Sequence, residues 1–174
     1  MKKIVIFSLL VLVLSGCSFG RRAFYSIKYK TVRLPTGNMI PTVNPGDYAA
    51  IDQTYYATNP VQRYDIVILR NPQPSKILHG EDTVIIERVI GLGGEKVEIR
   101  GGKVFINRQE VTQPFPIIPN DSSENFGPIT VPQDEYLLLA DNRPESIDSR
   151  HWSKPTVSKS YFQAKVIKIL PEGR

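Results

Sequence analysis

The chain has 174 residues, 41% of them hydrophobic, which suffices for one core and leaves little for a second domain. Its formal charge of +5 comes without a basic run interleaved with aromatic residues, so nucleic acid is not an expected partner, and a single cysteine excludes an internal disulfide. His79 and His151 stand alone, without partners at ligand spacing, so neither a metal nor another cofactor is expected.

Lys2-Lys3 precedes an apolar run from Ile4 to Leu14, a short positive segment and a hydrophobic core of export-signal length. The run is short for a membrane span, which needs roughly 20 apolar residues. It ends in Leu14-Ser15-Gly16-Cys17, which is similar to the lipobox of bacterial lipoproteins, where processing leaves a lipidated cysteine as the first residue. Residues 1–16 are therefore expected as an export signal, Cys17 as the lipidation site and 17–33 as a tether. Removing the leader takes two lysine charges with it. Two or more acyl chains retain a protein stably at a membrane where a single chain does not. The other reading is an uncleaved N-terminal anchor. Both hold the domain at a membrane, on the extracytoplasmic face of a bacterial envelope.

The rest of the chain reads as β. Tyr48 to Asp52, Asp65 to Leu69, Thr83 to Ile90, Lys96 to Ile99, Lys103 to Ile106, Glu135 to Ala140 and Gln163 to Leu170 are short runs rich in Val, Ile, Leu and Tyr, separated by Pro, Gly, Asn and Asp. Beyond the leader, no long segment repeats apolar residues at helical spacing. Gly101-Gly102 marks a hairpin, because glycine supplies positive φ at no steric cost. Pro114 to Pro128, with four prolines, reads as a loop. Residues 34–174 are expected to form one all-β, barrel-like domain of short, mostly antiparallel strands.

Five blocks carry a family resemblance in the same order. They are Pro35-Thr36-Gly37-Asn38-Met39-Ile40-Pro41-Thr42, Asn44-Pro45-Gly46-Asp47-Tyr48, Arg63-Tyr64-Asp65-Ile66-Val67-Ile68-Leu69, Glu87-Arg88-Val89-Ile90-Gly91-Leu92-Gly93-Gly94-Glu95, and Ala140-Asp141-Asn142-Arg143-Pro144-Glu145-Ser146-Ile147-Asp148-Ser149-Arg150. They resemble the boxes of the type I signal peptidases, peptidase family S26, and span roughly Leu34 to Ile169.

The resemblance implies a serine nucleophile before Met-x-Pro-Thr and a lysine general base heading the Arg-Val-Ile-Gly-Leu block. Here those places hold Asn38 and Glu87. An amide is not a nucleophile that a base can activate by removing a proton. A neutral buried lysine can accept a hydroxyl proton near neutral pH, whereas glutamate brings other geometry and the opposite charge. Thr36 takes the place of a hydroxyl that helps bind the oxyanion; a turn role beside Gly37 is the other reading. Met39 faces either a membrane or substrate side, or the core. Ser146 matches a serine that orients the family's lysine, and Asp148 and Arg150 match a structural ion pair. Asp141-Asn142 reads as a turn pair followed by Arg143 of the signature, and Ala140 replaces the family's glycine at a point where a methyl crowds the backbone.

The function expected is that of a membrane-attached, signal-peptidase-like lipoprotein that holds extended signal-peptide-like or pilin-like segments of exported proteins without hydrolysing them. Signal-peptidase-like proteins without the dyad act as pilus-assembly accessory factors, which suggests that partner class. The alternatives are an active signal peptidase I with atypical residues and a structural envelope lipoprotein. A relocated peptidase site using Glu87 with another acid, or a serine or threonine served by it, is a further alternative.

Overall fold

The computed structural model describes residues 29–72 and 84–172. The leader, Cys17 and His79 lie outside the described residues. Among the described residues, eleven strands fall into two antiparallel sheets. The larger runs β1-β2-β11-β3-β4-β9-β10, with β1 Lys30–Arg33, β2 Tyr48–Asp52, β3 Ile66–Arg70, β4 Val84–Gly91, β9 Glu135–Leu139, β10 Val157–Ser158 and β11 Phe162–Leu170. The smaller runs β7-β6-β5-β8, with β5 Lys96–Arg100, β6 Lys103–Ile106, β7 Gln109–Glu110 and β8 Phe126–Thr130. One helical turn, α1 Tyr55–Thr58, and a 3₁₀ turn at Lys159–Tyr161 complete the elements. Among the described residues no helix is long and apolar enough to cross a membrane.

The apolar run Ile66-Val67-Ile68-Leu69 lacks polar alternation because both faces of the larger sheet are covered. Ile68 packs with Leu34, Met39, Ile51 and Ile86 on one face, whereas Val67 and Leu69 pack with Tyr56, Val61, Val89 and Trp152 on the other. A third cluster joins the sheets: Ile90, Leu137 and Leu139 of the larger meet Val97, Ile99, Val104 and Ile106 of the smaller. Gly91 sits at this junction, where a Cβ would fall 2.7 Å from Val97 Cγ2, too close for any side chain.

Four expectations are revised by the structure. Among the described residues the barrel-like fold is open and not closed, with β1 and β10 as the outer strands of the larger sheet. Lys30–Arg33, read as the end of a tether, is a strand paired with β2 from Lys30↔Ile51 to Arg33↔Tyr48. Phe126–Thr130, partly assigned to the proline-rich loop, pairs with β5 as an outer strand of the smaller sheet, a place where Pro128 removes no ladder bond that a central strand would need. Ala140 causes no crowding, since its methyl is buried with Met39 and Ala164 and its N–H and C=O are both hydrogen-bonded. The Gly101-Gly102 hairpin forms as expected, joining β5 to β6 with φ of 56° and 74°.

Candidate functional site

β4 is long enough to serve two neighbours. It pairs with β3 over Val84 to Arg88, and with β9 only from Arg88 onward. Among the described residues, the stretch before Arg88 therefore has no strand on its β9 side, and the loop carrying Thr36, Asn38 and Met39 fills part of that space. Met39 is fully buried in the core, so the loop is anchored by a residue within its own turn. The Asn38 amide reaches β4: Nδ2 donates to the Ile86 carbonyl at 2.6 Å and, at 3.3 Å, to Glu87 Oε1. Thr36 Oγ1 donates to Asn38 Oδ1 at 2.7 Å.

Thr36, Asn38 and Glu87, 51 residues apart in sequence at the extremes, thus form one hydrogen-bonded chain. Glu87 is 1% exposed, and its Oε2 is buried without a hydrogen-bond partner. Burial pushes its carboxyl well above the usual value of 4.5, and repulsion from Asp148 adds to this; the Asn38 hydrogen bond and the Arg150 charge oppose the shift without overcoming it.

The C-terminal signature supplies the support. Asn142 is more than a turn residue: its N–H donates to Asn38 O at 2.9 Å and its Nδ2 to Gly37 O at 3.0 Å, fixing the Gly37-Asn38 backbone. Ser146 sits below it, with Oγ donating to Asn142 O at 2.5 Å and sharing Asn38 O at 3.3 Å. Its hydroxyl thus serves the main-chain carbonyls of Asn142 and Asn38. Asp148 and Arg150 do form the expected pair, Nε to Oδ1 at 2.7 Å and Nη2 to Oδ2 at 2.8 Å, and Arg150 also binds Glu124. Arg143 is buried, donating through Nε to Ala140 O at 2.7 Å and through Nη2 to Gln113. Asp141 pairs with Arg88 through Nε–Oδ1 at 2.8 Å and Nη2–Oδ2 at 2.6 Å, and accepts from Thr42 at 2.5 Å.

Arg88, Arg143 and Arg150 are balanced by Asp141, Asp148 and Glu124. An ionised Glu87 would add an unbalanced buried charge, so the neutral acid is the form that fits. Sequence reasoning assigned no role to Arg88, Thr42, Ile86, Gln113 or Glu124. Arg88 and Thr42 lie inside the quoted motif blocks, and that position was the available signal. Gln113 and Glu124 lie outside every block.

Beside this pair lies a cavity of about 310 Å³. Val32, Leu34, Pro35, Ile51, Ile68, Ile85, Ile86 and Ala164 make its apolar wall, Thr36 borders it, and Lys30, Arg33, Gln53 and Gln163 supply polar groups. Thr36 and Ile86 belong to both features, so the hydrogen-bonded chain and the cavity are continuous. Among the described residues no group of three or more His, Cys, Asp or Glu could hold a metal.

A family model described as signal peptidase, peptidase S26, matches residues 2–170. The chain belongs to the S26 signal peptidase family. Signal peptidase I of Leptolyngbya laminosa is 36% identical over 120 residues, 68% of this chain and 58% of its own length. Signal peptidase I P of Bacillus subtilis subsp. natto is 34% identical over 122 residues, 66% of this chain and 62% of its own. A solved signal peptidase I from Enterococcus faecalis V583 aligns with 63% of this chain and 98% of its own at 26% identity and a TM-score of 0.49. The chain spans about three fifths of the length of the two sequence relatives. Within this S26 chain, the two residues singled out by the motifs, Asn38 and Glu87, are hydrogen-bonded to each other beside an apolar cavity.

Proposed function

We propose that this S26 family member is a membrane-attached protein that holds extended segments of exported proteins without cutting them. The observation that carries the reading is the Asn38–Glu87 pair: at the places where the motifs put a serine and a lysine, an amide donates to a buried carboxyl. Neither group is a nucleophile activated by a base, and a glutamic acid holding its proton cannot accept another from a hydroxyl.

The binding half of the proposal draws on the rest of the site. Among the described residues β4 before Arg88 has no strand on the β9 side, so a peptide can add there through main-chain hydrogen bonds while its side chains enter the 310 Å³ cavity. The aliphatic lining favours apolar side chains, and Lys30 and Arg33 favour a partner that is not basic at that point. Signal peptides and pilin-like segments of exported proteins have this extended, apolar character. Attachment through a lipid on Cys17 would place the site at the membrane where such segments emerge.

The test pairs cleavage with capture. The full-length protein in detergent is incubated with a fluorescent preprotein. The proposal expects retention of the preprotein on immobilised protein with no product above the uncatalysed rate. Turnover abolished by Glu87→Ala would show an active peptidase using that carboxyl. Neither turnover nor retention would favour a structural envelope role.

A further inference from the structure

Resting on the peptide-binding reading, we infer that the Asn38 carboxamide caps the binding edge of β4 from within, occupying the positions that an incoming peptide unit must take. A primary carboxamide has the two hydrogen-bonding halves of a peptide bond, a carbonyl acceptor and an N–H donor. Both halves of Asn38 are engaged. Its Oδ1 accepts the Thr36 hydroxyl at 2.7 Å, and its Nδ2 donates to the Ile86 carbonyl at 2.6 Å.

The Ile86 carbonyl is the important partner. It lies on β4 before Arg88, where β9 no longer pairs, and it turns away from β3 toward the loop. A strand adding to this edge has to give a main-chain N–H to that carbonyl, as any strand does in a ladder. The Thr36 hydroxyl, which borders the cavity and now donates to Asn38 Oδ1, is the donor a bound carbonyl would use. Asn38 therefore satisfies the site's donor and its acceptor at once. Without it, a part-buried carbonyl and a hydroxyl would wait unpaired for a ligand.

The physical consequence is an exchange. A peptide with an N–H and a carbonyl in register replaces the Asn38 bonds by equivalent ones, so its net gain comes from side chains in the cavity. A ligand with the same side chains but no N–H at that register displaces Asn38 without replacing its bonds. The cap lowers affinity by the same factor for every ligand that displaces it, and a ligand without that N–H is weaker still because the Ile86 carbonyl is left unpaired. The Asn38 backbone is held separately, by Asn142 N–H and Ser146 Oγ on its carbonyl, so the side chain can leave while the loop stays in place.

The experiment measures fluorescence polarisation of a labelled valine-and-alanine octapeptide with wild-type protein, Asn38→Ala and Asn38→Ser, all full-length in detergent. Near-ultraviolet circular dichroism from Trp152 and the tyrosines monitors folding. Each variant removes the carboxamide while keeping a residue small enough for the loop, and Asn38→Ser guards against an alanine variant that does not fold. Loss of a competing pair of hydrogen bonds is expected to tighten binding about tenfold in both. N-methylating the probe one residue at a time should weaken binding sharply at one position, the one whose N–H the Ile86 carbonyl receives, in both variants. Wild-type binding with unchanged or weaker affinity in the folded variants overturns the cap alone. Binding by none of the three overturns the peptide-binding reading and the cap with it.

Discussion

Arg88 and Asp141 meet in the core as a bidentate pair, Nε–Oδ1 at 2.8 Å and Nη2–Oδ2 at 2.6 Å, both side chains almost wholly removed from solvent. The pair ties the middle of β4 to the residue just before Asn142, and Thr42 joins it from the loop that follows Met39. Three separate motif blocks are thereby held at one point. The Arg88 guanidinium also lies 3.8 Å from the centre of the Phe115 ring, which covers its face.

Breaking this pair should be costly. Asp141→Ala leaves a buried guanidinium without its carboxylate and removes an acceptor from Thr42, for which about 3–5 kcal/mol is the usual range. Asp141→Asn keeps the shape and one acceptor and should cost less. Urea denaturation of both variants checks the order. A loss under 1 kcal/mol in Asp141→Ala would show that the pair contributes little to folding.

The pH dependence of stability should report on Glu87. Burial, reinforced by Asp148, raises its carboxyl above 4.5, so the folded protein keeps a proton that the unfolded chain gives up. Wherever the native state binds more protons, stability falls as pH rises. The contribution of Glu87 is therefore complete below about pH 4.5 and is lost as pH rises from there through the folded value. Glu87→Gln has the shape of the neutral acid without its titration. Its stability curve should match wild type in acid and lie above it at neutral and alkaline pH. The difference between the two curves isolates this residue from Asp148, Asp141, Arg150 and the other charged groups around it. Parallel curves from pH 4 to 9 would mean that Glu87 is not held neutral by the fold.

The strands with a clear apolar pattern were legible from sequence. The core of β2, β3, β4, β5, β6, β9 and β11 fell within the runs of Val, Ile, Leu and Tyr, with ends displaced by about one residue. β1 and β8 were not, for physical reasons. Lys30-Thr31-Val32-Arg33 has too few apolar residues to signal a strand, and its state is set by the partner it finds in β2. Phe126-Gly127-Pro128-Ile129-Thr130 carries two strand-breaking residue types that an outer position tolerates. In the site, the motifs located Asn38, Glu87 and the Asp148–Arg150 pair. The bonds of Asn142 and Ser146 to the Gly37-Asn38 backbone, and that of Arg88 to Asp141, join residues 53 to 108 positions apart, and no local spacing encodes them.

Export and anchoring give a separate prediction. Cys17→Ala should lose fatty-acid labelling and membrane retention. The substitution lies outside the described β domain, so the domain should fold as before, with unchanged near-ultraviolet circular dichroism. Labelling that persists in the variant would rule out Cys17 as the lipid site and favour an uncleaved anchor.

Restoring the residues that the motifs lead one to expect tests the catalytic reading from the opposite side. Asn38→Ser alone should stay inactive because burial favours the protonated form of Glu87, which has no free site for the serine proton. Glu87→Lys alone should stay inactive because an amide still occupies the nucleophile's place. The double variant supplies both groups, and the Gly37-Asn38 backbone that positions the hydroxyl is already fixed by Asn142 and Ser146. A new lysine would enter a pocket whose nearest charges include Asp148 and Arg150, which pull its proton affinity in opposite directions. Detectable cleavage of a preprotein is expected from the double variant only. Adding Thr36→Val should lower that rate by roughly 10²-fold, since the hydroxyl now bound to Asn38 Oδ1 would be released to a developing oxyanion. Equal activity in wild type and double variant would show that Asn38 and Glu87 do not occupy the reacting positions, and the binding proposal would lose its central support.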